Sequence, residues 1–256
     1  MFIYSILAAN FPTLLRFPYQ RRICRCADAS HRRHDQYLLE LDFITRALPG
    51  SPPQTARYNV APTTRVPVLR QDEQGLRIDA IRWGWAPSRA MDKRPAPINA
   101  RVETVATSRF FKGIWPAGRV LVPADGWYEW VKDAQQPKLK QPWFIRLNTG
   151  APLFFAALAQ VSEANDGFVI VTDASDQGML EIHDRRPVVL APDAARAWLD
   201  PHLEAAQAEA MARHESRPVT DFQWYPVGRE VGNVRNEGAG LIMPLSTPDS
   251  AEGPLV

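Results

Sequence analysis

The only two cysteines, Cys24 and Cys26, stand one residue apart in RRICRCADASH, residues 21–31. That stretch allows a metal clip, a redox pair, a nucleophile or an incidental thiol. His31 and His34 complete a possible zinc donor set, but C-x-C is tight and H-x-x-H is not a usual finger spacing. Three further motifs place polar groups where a plain β-domain does not need them. PINARVET sets Asn99, Arg101 and Glu103 after Ile98. ADGWYEW puts Glu129 between Tyr128 and Trp130, with Asp125 nearby. LEIHDRRPVV follows His183 with Asp184, Arg185 and Arg186. A carboxyl packed among aromatics has a raised pKa, because burial disfavours its charged form, and that suits proton transfer. A histidine can share the task. The plainer alternatives are a solvated glutamate on a strand face and a salt-bridged HDRRP turn.

Basic and aromatic residues also interleave: Arg101, Arg109, Lys112, Trp115, Arg119, Trp127, Trp130, Arg185 and Arg186. Arginines hold phosphates and aromatics stack on unpaired bases. The competing reading puts the tryptophans in the core and the arginines on the surface.

The elements that must position these groups are mostly strands. RVPVLR, LRIDAIRWGW, RVLVPADGWYEW, PWFIRL, LFFAALAQV, GFVIVTD and RPVVLA are short, rich in Val, Ile, Phe and Trp, and bounded by Gly, Pro or Asp. FQWYPVG is a last β-like run. Helical spacing is predicted over residues 35–48, in VETVATSRFF, in APDAARAWL with its proline in the first turn, and in LEAAQAEAMARH. The sum is one α+β domain around an antiparallel, barrel-like core with flanking helices.

With 256 residues the chain is long enough for a sizeable core. Hydrophobic content of 45% and charged content of 23% are those of a soluble globular protein. A net charge of +2 requires any attraction to nucleic acid to come from a local patch. Two cysteines exclude a disulfide framework and favour a reducing compartment. The 23 prolines favour turns and short strands over a helical bundle. The start, MFIYSILAANFPTLLRFPYQRR, is apolar but interrupted by Asn10 and Pro12, and fits neither a signal peptide nor a membrane anchor.

The chain resembles the SRAP family, the SOS-response-associated peptidase or abasic-site processing proteins. ARYNVAPTT, RWGWAP, PINARVETVATSRFFK, RVLVPADGWYEW, KQPWFI, FFAALAQV, FVIVTDASDQGMLEIHDRRPVVL and NVRNEG carry the resemblance, in the family's order, over roughly residues 27–242. It implies one α+β domain that recognises abasic sites in single-stranded DNA, as a cytoplasmic, nucleoid-associated monomer without cofactor or metal. It also implies a cysteine that becomes the N-terminus and forms a thiazolidine with the ring-opened sugar, giving a DNA–protein crosslink. Peptidase self-processing and lyase-like activity come with the family. By motif, the catalytic set falls on Cys24, Asn99, Glu129 and His183. The DNA-holding set falls on Arg25, Pro62, Arg101, Arg109, Trp130 and Arg185. The expected organisation is an N-terminal extension over residues 1–22, the domain over 23–246 and a disordered tail over 247–256.

The sequence departs from the family at two places. The family begins Met-Cys-Gly-Arg and an aromatic residue, whereas this chain reads Ile23, Cys24, Arg25, Cys26, Ala27. Cys24 aligns best with the nucleophile and Arg25 with a phosphate-binding arginine; an ungapped alignment from the downstream helix selects Cys26. With 23 residues ahead of it, the Cys24 nitrogen is an amide and forms no Schiff base. Trimming before Cys24, a different start, or reversible DNA binding each answers this. In APSRAMDK, Arg89 and Ala90 stand where the family usually has a tryptophan after Ala-Pro.

Overall fold

The structure is a computed structural model that describes residues 6–8, 56–87, 95–132, 138–162 and 165–245. Cys24, Arg25, Cys26, His31, His34, Arg89, Ala90, the helix predicted over 35–48 and the tail over 247–256 lie outside the described residues. The strands are β1 (Ile6–Ala8), β2 (Arg65–Asp72), β3 (Gly75–Arg82), β4 (Asn99–Arg101), β5 (Arg119–Lys132), β6 (Lys140–Leu147), β7 (Leu153–Gln160), β8 (Gly167–Ala174), β9 (Arg185–Pro187) and β10 (Phe222–Pro226). The helices are α1 (Pro192–Leu199) and α2 (Ala205–His214). Together they form a single α+β domain.

One mixed sheet runs β10-β6-β5-β7-β8-β4, with β1, the β2–β3 hairpin and β9 joined to it. Its ladders are antiparallel except that between β4 and β8. The sheet curls back on itself through two single bridges, Leu69 to Leu121 and Trp83 to Phe168. Among the described residues no continuous ladder completes the circuit, so "barrel-like" describes its curvature and not a closed barrel.

The fold is organised around β5. It pairs with β7 over its first half and with β6 over its second, changing partners near Gly126. A Cβ on Gly126 would run into the Ile145 carbonyl and the Phe144 ring. The glycine of DGWYEW is therefore set by the close approach of β6. β7 and β8 are buried on both faces, which is why LFFAALAQ and GFVIVTDA are nearly continuous apolar runs. Their alternate residues feed two cores. Leu158, Val169 and Val171 pack with Trp115 and Trp198 under the helices. Phe155, Phe168 and Ile170 pack with Trp83, Trp127 and Phe222 on the other face.

α1 opens with Pro192 at its first turn, and α2 with a reciprocal cap between Glu204 and Gln207. The predicted helix in VETVATSRFF is instead a run of turns. Backbone bonds there alternate between spans of three and four residues. Thr107 Oγ1 and Ser108 Oγ bond local backbone and compete with a regular helix. The apolar spacing still serves burial, since Val102, Val105, Ile114 and Trp115 are in the core. In RPVVLA, regular pairing stops at Pro187, and Val189 and Leu190 make single bridges.

Candidate active site

Strand alternation sets Glu129 on the same face of β5 as Trp127 and opposite to Tyr128 and Trp130. Its strand neighbour on β6 is Trp143. Glu129 is 4% exposed, and its Oε1 has no hydrogen-bond partner among the described residues. Burial pushes its carboxyl well above the usual glutamate range, and the nearby Asp184 charge pushes the same way. The residue is thus a buried carboxyl, not a solvated strand glutamate.

The turn that carries His183 is held from below. Met179, in the 3-10 turn Gln177–Glu181, is buried in the same core as Trp127. Its carbonyl accepts from the backbone N–H groups of Ile182 and His183, both at 3.0 Å. The backbone N–H of Arg185 donates to His183 Nδ1 at 3.0 Å. The Arg185 carbonyl lies 3.1 Å from the same Nδ1, so whether that nitrogen donates or accepts is set by the ring's tautomer. Asp184 Oδ1 lies 3.2 Å from the same Nδ1. Asp184, next to His183 in this turn, is near enough to act on the Glu129 carboxyl by its charge.

β8 links this turn to the PINARVET motif. Asn99 pairs with Ile170 and Arg101 with Thr172 across the parallel β4–β8 ladder. On the other edge of β8, Ala174 pairs with Arg185. Arg185 Nη2 donates to the Thr172 carbonyl at 2.7 Å, and the backbone N–H of Val102 donates to the same oxygen at 2.9 Å. The Arg185 guanidinium also grips Glu103 in a fork: Nη2 meets Oε2 at 2.9 Å, and Nη1 meets Oε1. That pairing, with a smaller contribution from Arg101, holds the Glu103 carboxyl down at about 2. Sequence spacing does not reveal the pair, because 82 residues separate its partners. The available signal was an acid in NARVET facing an excess of base in HDRRP.

Arg101 and Arg109 are exposed on the stretch that leaves β4. Pro62 is half-buried in the turn before β2, where Thr63 takes a left-handed φ of 72°. Trp130 is half-buried on the opposite face of β5, beside Tyr128. The NVRNEG segment closes over YNVAPTT. Asn59 Nδ2 donates to the carbonyls of Val231 and Asn233 at 3.0 Å and of Asn236 at 3.3 Å. The Glu237 carboxylate accepts from the Tyr58 backbone N–H at 2.7 Å. Among the described residues no helix is long and apolar enough to cross a membrane.

Comparison with known proteins adds a family to this geometry. The chain is 45% identical over 220 residues to the abasic site processing protein YedK of Escherichia coli, covering 84% of this chain and 97% of the relative. It is 34% identical over 192 residues to the abasic site processing protein YoaM of Bacillus subtilis, covering 72% and 83%. A crystal structure of a phage-related protein from Bordetella bronchiseptica superposes with a TM-score of 0.61 at 32% identity, covering 89% of this chain and 94% of that one. The family model described as SOS response associated peptidase (SRAP) matches residues 25–234, and the chain belongs to that family.

Proposed function

We propose that this protein processes abasic sites in single-stranded DNA by capturing the ring-opened sugar aldehyde on Cys24, acting as the N-terminal residue of a chain trimmed to that point. The carrying observation is the buried Glu129 carboxyl, whose Oε1 has no hydrogen-bond partner among the described residues and which feels the charge of Asp184 beside His183, in a chain similar to relatives named for abasic-site processing.

The chemistry follows from the groups. An α-amine titrates near pH ~8, so a usable fraction is neutral and nucleophilic at neutral pH. It adds to the aldehyde carbon to give a carbinolamine. Glu129, biased by burial toward its protonated form, donates to the leaving hydroxyl; water departs and the carbon–nitrogen double bond forms. The Cys24 sulfur then bonds to that carbon, the pair of electrons returns to nitrogen, and the thiol proton is taken up through the site. The balance is one aldehyde and one aminothiol giving one thiazolidine and one water. The sulfur is one short side chain from the nitrogen, so its effective concentration is high. His183 assists sugar ring opening or handling of the Schiff base. Asn99 orients the amine by hydrogen bonding. Arg25, Arg101, Arg109 and Arg185 hold the phosphates, with Pro62 and Trp130 along the strand path. The peptidase description of the family fits release of the residues before Cys24.

A second reading rests on one observation: in the 256-residue chain Cys24 follows Ile23, and its nitrogen is an amide. That form holds single-stranded DNA reversibly. A denaturing gel with an abasic single-stranded oligonucleotide separates the two. The trimmed chain gives a shifted band that Cys24→Ala abolishes and Cys26→Ala keeps. A trimmed chain with no shifted band overturns covalent capture.

A further inference from the structure

Glu103 belongs to neither set of residues assigned above, yet it sits at the meeting point of two of them. Its carboxylate takes both terminal nitrogens of Arg185, and Arg185 is further tied to the Thr172 carbonyl at 2.7 Å. Its own backbone carbonyl accepts from Arg213 Nη2 at 3.2 Å, so the turn bearing it is fixed as well. A planar carboxylate in a guanidinium fork uses the same donors that a phosphate would use. The Arg185 side chain is only 15% exposed, so it has little room to recruit a second anion while Glu103 stays in place.

We infer that Glu103 is a specificity-determining positioning residue: an internal occupant of the Arg185 fork that withholds this cation from ordinary DNA phosphates. The inference rests on the single-stranded DNA reading above. Undamaged strands then meet Arg101 and Arg109 but not a free Arg185. A strand pays into the fork only where its backbone displaces Glu103. The device lowers sequence-independent attraction and keeps Arg185 aligned for the correct strand.

The test is fluorescence-anisotropy titration of an undamaged single-stranded oligonucleotide against salt, with the full chain as wild type and as E103Q, E103D and E103Q/R185A. Each phosphate neutralised contributes a slope of about 0.7 in log K against log salt. E103Q is expected to steepen the wild-type slope by about 0.7, so that about 2.6-fold more affinity is lost between 50 and 200 mM salt. E103D keeps the charge and stays near the wild-type slope. E103Q/R185A returns to the wild-type slope, because the cation set free is the one removed. A loss of structure does not produce this pattern, since it does not add a phosphate contact and is not reversed by a second substitution. A wild type that binds with a salt slope unchanged in E103Q overturns this inference alone. A wild type with no salt-dependent binding overturns both it and the reading beneath it.

Discussion

Glu129 and Glu103 are perturbed in opposite directions, and their pH signatures differ accordingly. Burial raises the folded-state pKa of Glu129. Its folded form binds the proton more tightly than the unfolded chain does. Its contribution to stability is therefore complete below the ordinary glutamate range and is lost as pH rises through the folded value. Glu103 is the reverse case, held at about 2 by Arg185. Its contribution is complete above the ordinary range and is lost as pH falls toward about 2. Its side chain is 42% exposed, so solvent screening limits that contribution to about 1 kcal/mol or less. Urea midpoints measured across pH are expected to fall less steeply on the alkaline side for Glu129→Gln, and less steeply on the acid side for Glu103→Gln. Glu129→Gln is also expected to slow crosslinking by about a hundredfold or more, with single-stranded DNA affinity little changed. A crosslinking rate within a few-fold of wild type contradicts the assigned role.

At the scale of elements, two local arrangements hold the site's frame. Arg119 is 7% exposed at the start of β5. Its guanidinium donates to the carbonyls of Pro116 at 2.7 Å, Leu203 at 2.9 Å, Asp200 at 3.0 Å and Trp198 at 3.1 Å. It thus ties the end of α1 and the link to α2 onto the strand that carries Glu129. Arg119→Ala removes the donor from four carbonyls, that of Trp198 buried and the others partly so, and is expected to cost about 3 kcal/mol in denaturant unfolding. Arg119→Lys does not restore it, because one ammonium cannot reproduce the planar fork. Gly126→Ala forces β6 away from β5 and is expected to cost about 1–3 kcal/mol. A change below about 0.5 kcal/mol shows that β6 yields freely. These elements were legible to different degrees. The runs that became β2, β3, and β5 through β8 announce themselves by apolar, β-branched and aromatic residues between turn residues, although in β3 only Ile81 is buried. The three-residue β4 does not, since its pairing with β8 is parallel and its partner lies about 70 residues later. The turns over VETVATSRFF share the helix's apolar spacing, so periodicity alone predicted the wrong element there. Glu129 stood out by its aromatic neighbours; Glu103 stood out in PINARVET, but its pairing with Arg185 did not, because that is a contact across the fold.

For the whole molecule, the C-terminal segment acts as a clasp. Tyr128, Phe144, Val227, Val231 and Leu241 form a separate small core behind β5 and β6. Asn59 joins the segment that follows β10 to the segment before β2 through three carbonyls. Asn59→Asp replaces the donor with an acceptor against those carbonyls and is expected to lower stability by about 2–4 kcal/mol, more than Asn59→Ala. Equal or smaller loss in Asn59→Asp contradicts the clasp. The same closure shapes the side of β5 opposite the Glu129 face, so the frame of the site depends on chain segments far apart in sequence.

Intact mass spectrometry of the chain beginning at Cys24, after incubation with an abasic single-stranded oligonucleotide, addresses covalent capture most directly. Capture on Cys24 gives a species equal to protein plus oligonucleotide minus one water, absent for Cys24→Ala and for the chain that retains Met1. An adduct that forms equally on Cys24→Ala, or free components alone with the trimmed wild type, contradicts it.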